Sequence, residues 1–209
     1  MSKSAGEFLR LQLLIDKGYH PLAYRLMCLQ AHYRSELEFS WEGLRAALVR
    51  LKRMALSADR MLIEDERWHE HRGSPKEALA EGNSESRLRP LIERFDAAIS
   101  DDLNTPIALT AFEEVLASKD VYPSTRIDVA LKMEQVLGLD LLQNDREILR
   151  VRPASSNITE PEIEAILARR KEARVAKDFA TSDRLRDELA AQGVEVMDGD
   201  PLGWDWKLG

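Results

Sequence analysis

Apolar residues recur at the spacing of an α-helix along almost the whole chain up to residue 142, and this periodicity constrains the fold most. The clearest case follows Ser40, where WEGLRAALVRLKRMALSADRML keeps apolar side chains on one face for many turns. Ser40 itself is a favoured helix N-cap. Similar segments recur, with short connections between them. The sequence therefore predicts five or six helices in an antiparallel bundle.

Glycine and proline mark the ends of these predicted helices. Gly18 follows EFLRLQLLIDK and Gly138 follows STRIDVALKMEQVL, each at a natural C-cap position. Pro21 begins the next segment, PLAYRLMCLQAHYR, and is tolerated in a first helical turn. The polar run RGSPKEALAEGNSES, residues 72–86, predicts a loop.

An acidic stretch precedes another predicted helix. Thr105 is the predicted N-cap of this helix and Pro106 lies in its first turn. Asp101, Asp102 and Asn104 come just before them. Carboxylates are favourable near a helix N-terminus, so we assign this stretch to helix-start electrostatics rather than to a metal site.

A different kind of segment follows the bundle. Residues 143–158 lose the helical period and predict a linker. Thr159 and Glu162 form a capping-box pattern at the start of a new helix, and a second helix ends at Gly193. The end, VEVMDGDPLGWDWKL, alternates apolar and polar residues around a turn. Residues 159–209 are therefore predicted to form a small module of an α-hairpin and a short β-ribbon, with Trp206 in the ribbon core.

Charge and residue counts exclude several functions. The net charge of −7 argues against nonspecific DNA binding and leaves open RNA recognition through a local basic face. The single cysteine, Cys28, excludes an internal disulfide and is expected to be buried. The four histidines lack zinc-ligand spacing, so no metal site is predicted. With no run near the about 20 apolar residues of a membrane helix and no signal peptide, we expect a cytoplasmic protein without membrane contact.

Five cations stand within nine residues of the module's first helix: Arg169, Arg170, Lys171, Arg174 and Lys177. Such density suits contacts to phosphates or base edges. Just beyond, Phe179 offers a plane for an unstacked base, and Asp183 a carboxylate that accepts from a base amino group. The alternative is a solvated helix face paired with Glu164 and Glu172, with Phe179 packed in the hairpin and Asp183 paired with Arg186.

Five blocks follow one another along the chain: MSKSAGEF, KGYHPLAYRL, AHYRSELEFSWEGL, FDAAISDDLNTPIAL and ARRKEARVAKDFATSDRLRDELAAQGVEVMDGDPLGWDW. In this order they resemble the C-terminal part of cysteinyl-tRNA synthetases, which are class I aminoacyl-tRNA synthetases. The resemblance implies that residues 1–18 are a remnant of the ATP-loop and stem-contact segment, with Lys3 in the family's Lys-Met-Ser-Lys-Ser loop. It further implies that the bundle, residues 19–142, binds tRNA and that residues 159–209 bind the anticodon.

The resemblance also assigns roles to individual residues. The positions that match the family's anticodon contacts are Arg174, Phe179, Asp183 and Asp198. Asp200 stays open as the alternative to Asp198, because the turn DGDP is one residue longer than in many relatives. The family more often has Trp at Phe179. Candidate contacts to the tRNA backbone are Arg169, Arg170, Lys171, Lys177 and, in the HYR block, Arg34. The alternative for Arg34 is an ion pair with a neighbouring Asp or Glu that holds the helix end.

The leading expectation is therefore a tRNA-binding region that recognises the tRNA with the cysteine anticodon, either a fragment of a longer synthetase or a free-standing protein. The family's catalytic fold, its His-Ile-Gly-His signature and its zinc site have no counterpart in the sequence. We thus expect no aminoacylation by this chain alone and no cofactor in it, since ATP and zinc belong to that catalytic domain. A catalytic domain acting in trans is a further candidate partner. The alternatives are a protein-interaction or regulatory module that no longer binds tRNA and, less favoured, a small ligase for another acceptor.

Overall fold

The computed structural model describes residues 10–70, 84–144 and 146–208, with the backbone alone for residues 68–70. These residues form eight α-helices, one 3-10 helix and two strands. The elements are α1 Leu11–Asp16, α2 Pro21–Leu29, α3 Trp41–Glu70, α4 Ser84–Ser100, α5 Thr105–Ala117, α6 Pro123–Leu137, the 3-10 helix Arg146–Leu149, α7 Glu160–Val175, α8 Phe179–Ala191, β1 Val194–Val196 and β2 Trp204–Trp206. The predicted fold class, mainly α with a short β-ribbon, is confirmed. Lys3 and most of the predicted loop 72–86 lie outside the described residues.

The described chain divides into two compact units. One unit comprises residues 22–148, and the other combines the described residues up to Pro21 with those from Leu149 onward. In the first unit α4 packs against α5, α6 packs against both of them, and α3 packs against α5 and α6. Leu44, Leu48 and Leu51 of α3 are buried, which is the face that the apolar period of this helix predicts. No helix within the described ranges is long and apolar enough to cross a bilayer.

Several predicted helix ends are confirmed by their geometry. Ser40 Oγ accepts a hydrogen bond from Gly43 N at 3.0 Å, as an N-cap should. Gly138 follows α6 in the left-handed conformation with φ +61°. Thr159 N donates to Glu162 Oε2 at 2.8 Å, which is one half of the predicted capping box.

Three details in the first unit differ from the sequence interpretation. The second helix ends at Leu29, not at Arg34, because the residues after it turn toward Asp102. Cys28 is exposed, since the buried face of α2 is formed by other residues of that helix. The N-cap of α5 is Asn104, one residue before the predicted Thr105.

Gly138→Ala is expected to destabilise the chain by about 1–2 kcal/mol, because L-residues are strained in the left-handed conformation. A Cβ at this position would also lie 2.5 Å from Arg25 NH2, and Arg25 Nε donates to Leu137 O at 2.7 Å. Urea unfolding followed by circular dichroism measures the loss. Gly193→Ala is the control for strain alone, since φ is +80° there and nothing lies within 4 Å. Equal losses in both variants would show that the Arg25 contact contributes nothing.

The second unit has its own core beneath the β-ribbon. The strands are antiparallel, with Val194 opposite Trp206 and Val196 opposite Trp204. Apolar residues of α7, α8 and the ribbon form one buried cluster: Ile158, Ile163, Ile166, Leu185, Leu189, Val194, Trp204 and Trp206. The predicted place of Trp206 in the ribbon core is confirmed. This packing holds α7 and α8 against the two strands.

Candidate nucleic-acid interface

An open depression of about 390 Å³ lies between α7 and the turn of the β-ribbon. Its lining residues are Leu167, Arg170, Lys171, Arg174, Val175 and Asp198. Residues spaced three, four and seven apart lie on one side of a helix, so α7 presents the first five of these together. Asp198 comes from the turn. The depression thus combines cations, one carboxylate and two aliphatic side chains.

Asp198 binds two guanidinium groups of α7. Arg170 NH1 donates to Oδ1 and NH2 to Oδ2, both at 2.7 Å. Arg174 NH1 donates to Oδ1 at 2.9 Å. The side chain of Arg170 is 8% exposed, whereas that of Arg174 is 50% exposed. The five cations of this segment are therefore not equivalent. Arg170 is buried against Asp198, whereas the other four, including Arg174, face solvent.

The sequence carries a signal for this difference that its interpretation missed. Arg170 continues the apolar stripe of Ile163, Ile166 and Ala173, all of which are buried. An arginine in such a stripe is rarely buried without a partner. That pattern predicts a carboxylate opposite Arg170, although it does not indicate which one.

The guanidinium groups also set the ionisation of Asp198. The hydrogen bond from Arg170 is the largest effect and lowers the pKa of the Asp198 carboxyl. Burial opposes this shift, while the charges of Arg170 and Arg174 lower the pKa further. The carboxylate therefore stays ionised at neutral pH and acts as a hydrogen-bond acceptor.

Asp200, the alternative to Asp198 in the sequence interpretation, has a different position. Its Oδ1 accepts a hydrogen bond from Leu202 N at 2.8 Å within the ribbon turn. Asp198 lies in the depression beside Arg174, and Asp200 is not among the residues that line it. The geometry favours Asp198 as the carboxylate of the site.

Phe179 is the first residue of α8, immediately after the N-cap Asp178. It is 63% exposed, so it does not pack the α-hairpin as the alternative interpretation has it. Val175, at the end of α7, is 80% exposed. Asp183 is also exposed, and its Oδ1 lies 3.6 Å from Arg186 NH1. An aromatic ring and a carboxylate of α8 are thus open to solvent.

The remaining cations of the helix are exposed: Arg169, Lys171 and Lys177. None of them forms an ion pair with another residue that the structure describes. Glu164, a partner in the alternative interpretation, accepts from Trp204 Nε1 at 2.6 Å instead. These cations are free to meet an anion from solution.

Arg34 lies in the other unit and has a partner that its sequence neighbourhood does not show. Arg34 Nε lies 2.9 Å from Asp102 Oδ2, and Tyr33 OH donates to Asp102 Oδ1 at 2.6 Å. Asp102 is therefore bound to the HYR block, and its assignment to helix-start electrostatics misses this contact. The Arg34 side chain is still 68% exposed. Within the described residues, no cluster of His, Cys, Asp and Glu is placed to hold a metal ion.

The α-hairpin and β-ribbon of the second unit thus present exposed cations and an exposed aromatic ring. Residues 159–201 match the family described as the cysteinyl-tRNA ligase anticodon binding domain. The chain is 62% identical over 208 residues to a cysteine–tRNA ligase of Novosphingobium aromaticivorans, covering 100% of this chain and 40% of that protein. For the ligase of Zymomonas mobilis the identity is 41%, with 99% and 44% covered.

A third relative, cysteine–tRNA ligase 1 of Burkholderia lata, is 36% identical over 198 residues, with 95% of this chain and 36% of that protein covered. The chain belongs to the cysteine–tRNA ligase family and corresponds to its C-terminal part. It spans about two fifths of the length of these relatives.

Proposed function

We propose that this chain binds tRNA and that residues 159–209 recognise the cysteine anticodon. The observation that carries the proposal is the Arg174–Asp198 pair, which lies half-exposed in a depression within the matched anticodon-binding domain. A hydrogen-bond donor and an acceptor side by side are what base-edge recognition requires.

Both members of the pair retain hydrogen-bonding capacity. Three guanidinium N–H groups donate to Asp198, whose carboxylate has about four lone-pair sites, so Oδ2 can accept one more. Arg174 gives one N–H to Asp198 and keeps its other donors. A base that offers an amino or imino N–H next to a carbonyl oxygen would satisfy both groups.

The surrounding exposed residues complete this proposed interface. The ring of Phe179 would stack on an unpaired base, and Asp183 would accept from a base amino group. Arg169, Lys171 and Lys177 would contact phosphates, and in the other unit Arg34 would do the same. A local basic face is needed because the chain as a whole carries a charge of −7.

Amino acid activation is proposed to reside outside these 209 residues, in a catalytic domain that is either joined to this chain or separate. ATP and zinc would belong to that domain. Among the described residues the strands form one two-stranded antiparallel ribbon, and no parallel sheet that would hold a nucleotide is present. Lys3 would be the residue of this chain that approaches ATP in such an assembly.

The test is binding of this chain to an unmodified tRNA with the cysteine anticodon and to the same tRNA with its anticodon exchanged, at one physiological salt concentration. Arg174→Ala is expected to lower the ratio of the two affinities about tenfold, the value of one lost base-edge contact. Asp183→Ala should also lower it. Fluorescence anisotropy of labelled tRNA gives both dissociation constants.

Arg89→Ala is the matched control, because Arg89 is an exposed cation of α4 in the other unit. It removes one positive charge and should leave the affinity ratio unchanged. If the unmodified chain binds both tRNAs equally, or neither of them, the proposal that this chain recognises the anticodon is wrong. A protein-interaction module would then be the better hypothesis.

A further inference from the structure

We propose that Arg170 is a positioning residue for anticodon recognition: it holds the Asp198 carboxylate where Asp198 and Arg174 together meet a base. The proposal rests on the proposed function of the depression. It replaces the sequence-based assignment of Arg170 to the tRNA backbone with an action through Asp198.

The hydrogen bonds distinguish Arg170 from Arg174. Arg170 donates two parallel bonds to Asp198, one to each carboxylate oxygen and both at 2.7 Å. Such a fork fixes the plane of the carboxylate, whereas the single 2.9 Å bond from Arg174 leaves that plane free to rotate. Arg170 therefore determines the direction in which the remaining lone pair of Oδ2 points.

Burial gives the second argument. Arg170 is 7% exposed, so a phosphate or base that bound it would first have to displace Asp198. Its Nε has no hydrogen-bond partner among the described residues. The hydrogen bonds that the guanidinium donates within the described chain all go to Asp198. An unpaired buried charge is strongly unfavourable, so this pair persists without a ligand.

The support beneath Arg170 is rigid. Arg170 lies in the stripe of α7 that also contains Ile166 and Ala173, both of which are buried. Asp198, by contrast, lies on the turn after β1, and its side chain is 51% exposed. An exposed side chain on a turn has several rotamers to lose on binding. The bond to α7 removes that freedom in advance, which is how preorganisation raises affinity and specificity.

Arg170→Lys is the decisive variant, because lysine keeps the positive charge and loses the two-pronged geometry. We expect the affinity ratio between the cysteine tRNA and its anticodon-exchanged form to fall about tenfold. The salt dependence of binding should stay the same, since no phosphate contact is lost.

Arg169→Met is the matched control on the neighbouring, exposed position. If Arg169 contacts a phosphate, this change should weaken binding to both tRNAs alike and reduce the slope of log affinity against log salt by about one. The ratio of the two affinities should not change. Urea unfolding of each variant confirms that the chain is folded under the binding conditions.

A measurement without RNA tests the positioning contact by itself. The titration of Asp198 is followed by carbon-13 NMR in Arg170→Met and in Arg174→Met. We expect the pKa of Asp198 to rise more when Arg170 is replaced, because its hydrogen bonds contribute most to lowering that pKa. An equal or larger rise in Arg174→Met would overturn the proposal.

The two proposals fail in different ways. If the unmodified chain discriminates between the tRNAs and a folded Arg170→Lys variant does so equally well, only the role of Arg170 is overturned. If the unmodified chain does not discriminate, the proposed function is overturned and the part of Arg170 in recognition with it. A lowered ratio in Arg170→Lys, with the expected order of pKa changes, supports both proposals.

Discussion

Trp204→Ala is expected to destabilise the second unit, which contains the α-hairpin and the β-ribbon, by about 3–5 kcal/mol. This is the usual cost of truncating a buried aromatic side chain to alanine. Trp204 is 1% exposed and lies in the cluster that joins the ribbon to α7 and α8. Domains of this size have a total stability of about 5–15 kcal/mol. The variant should therefore unfold at a markedly lower urea concentration in the second unit and should bind tRNA more weakly.

Three contacts of the Trp204 side chain explain why its truncation should cost so much stability. The ring of Trp204 packs edge-on against Trp206, with centroids 5.3 Å apart. Arg150 Cζ lies 3.9 Å from the centre of the Trp204 ring. Glu164, which lies in α7, accepts a hydrogen bond from Trp204 Nε1. Alanine removes all of these contacts and leaves a cavity in the buried cluster of this unit.

Val175→Ala provides the comparison within the same unit, because Val175 is 80% exposed. Its effect on unfolding should stay within about 0.5 kcal/mol. Amide NMR signals of residues 159–201 report which region loses structure. A Trp204→Ala variant with a midpoint like that of Val175→Ala would show that the ribbon does not depend on this ring.

Glu134→Ala is expected to destabilise the helical unit by about 2–4 kcal/mol, because it leaves two backbone N–H groups without their acceptor. Glu134 is 3% exposed. Its Oε1 accepts from Leu141 N at 2.7 Å, and its Oε2 accepts from Leu142 N at 3.3 Å. The carboxylate thus closes the chain reversal after α6. Urea unfolding measures the cost, with the exposed neighbour Gln135→Ala as control; equal midpoints for the two variants would contradict this role.

The same residue gives the stability a definite pH dependence. Burial raises the pKa of Glu134 above its ordinary value of 4.5, and the nearby Asp140 adds to this, while the two N–H groups oppose it. The folded state therefore holds the proton more tightly than the unfolded state does. The resulting stabilisation is complete below pH 4.5 and is lost as the pH rises through the raised pKa.

Glu134→Gln removes this titration and keeps an oxygen acceptor for one N–H group. Stability measured over a pH series should fall less steeply in the variant than in the unmodified chain, from pH 4.5 upward. Identical pH profiles for the two chains would show that Glu134 has the same pKa in the folded and unfolded states.

Helix boundaries show how far local chemistry alone predicts this structure. The cap at Ser40, the stop at Gly138 and the box of Thr159 with Glu162 each involve contacts within a few residues, so the sequence contains all the information needed. The predicted end of the second helix at Arg34 is wrong, since α2 ends at Leu29. The segment after Leu29 turns toward Asp102, which lies 68 residues from Arg34 in the chain.

The candidate site shows the same limit: a contact between distant parts of the chain cannot be predicted from local sequence. Density of cations pointed to α7, and the exposed Phe179 agrees with a base-stacking surface. The cation pattern alone does not separate Arg170 from Arg174, because periodicity assigns a face and does not supply a partner. The family resemblance does separate them, but it assigns Arg170 to the tRNA backbone and gives it no partner in the fold. Asp198 lies 28 residues from Arg170, and only the packing of the ribbon brings the two together.

The sequence by itself determined the helical fold class, the caps at Ser40, Gly138 and Thr159, the β-ribbon and the family, because each depends on residue order or on local hydrogen bonds. The tertiary structure decided which charged groups are buried and which remain available to a ligand. Glu164 supports Trp204, Arg170 holds Asp198, and Arg174 stays half-exposed. Burial and pairing are properties of surfaces that meet in space, and contacts across the fold create them after the local elements have formed.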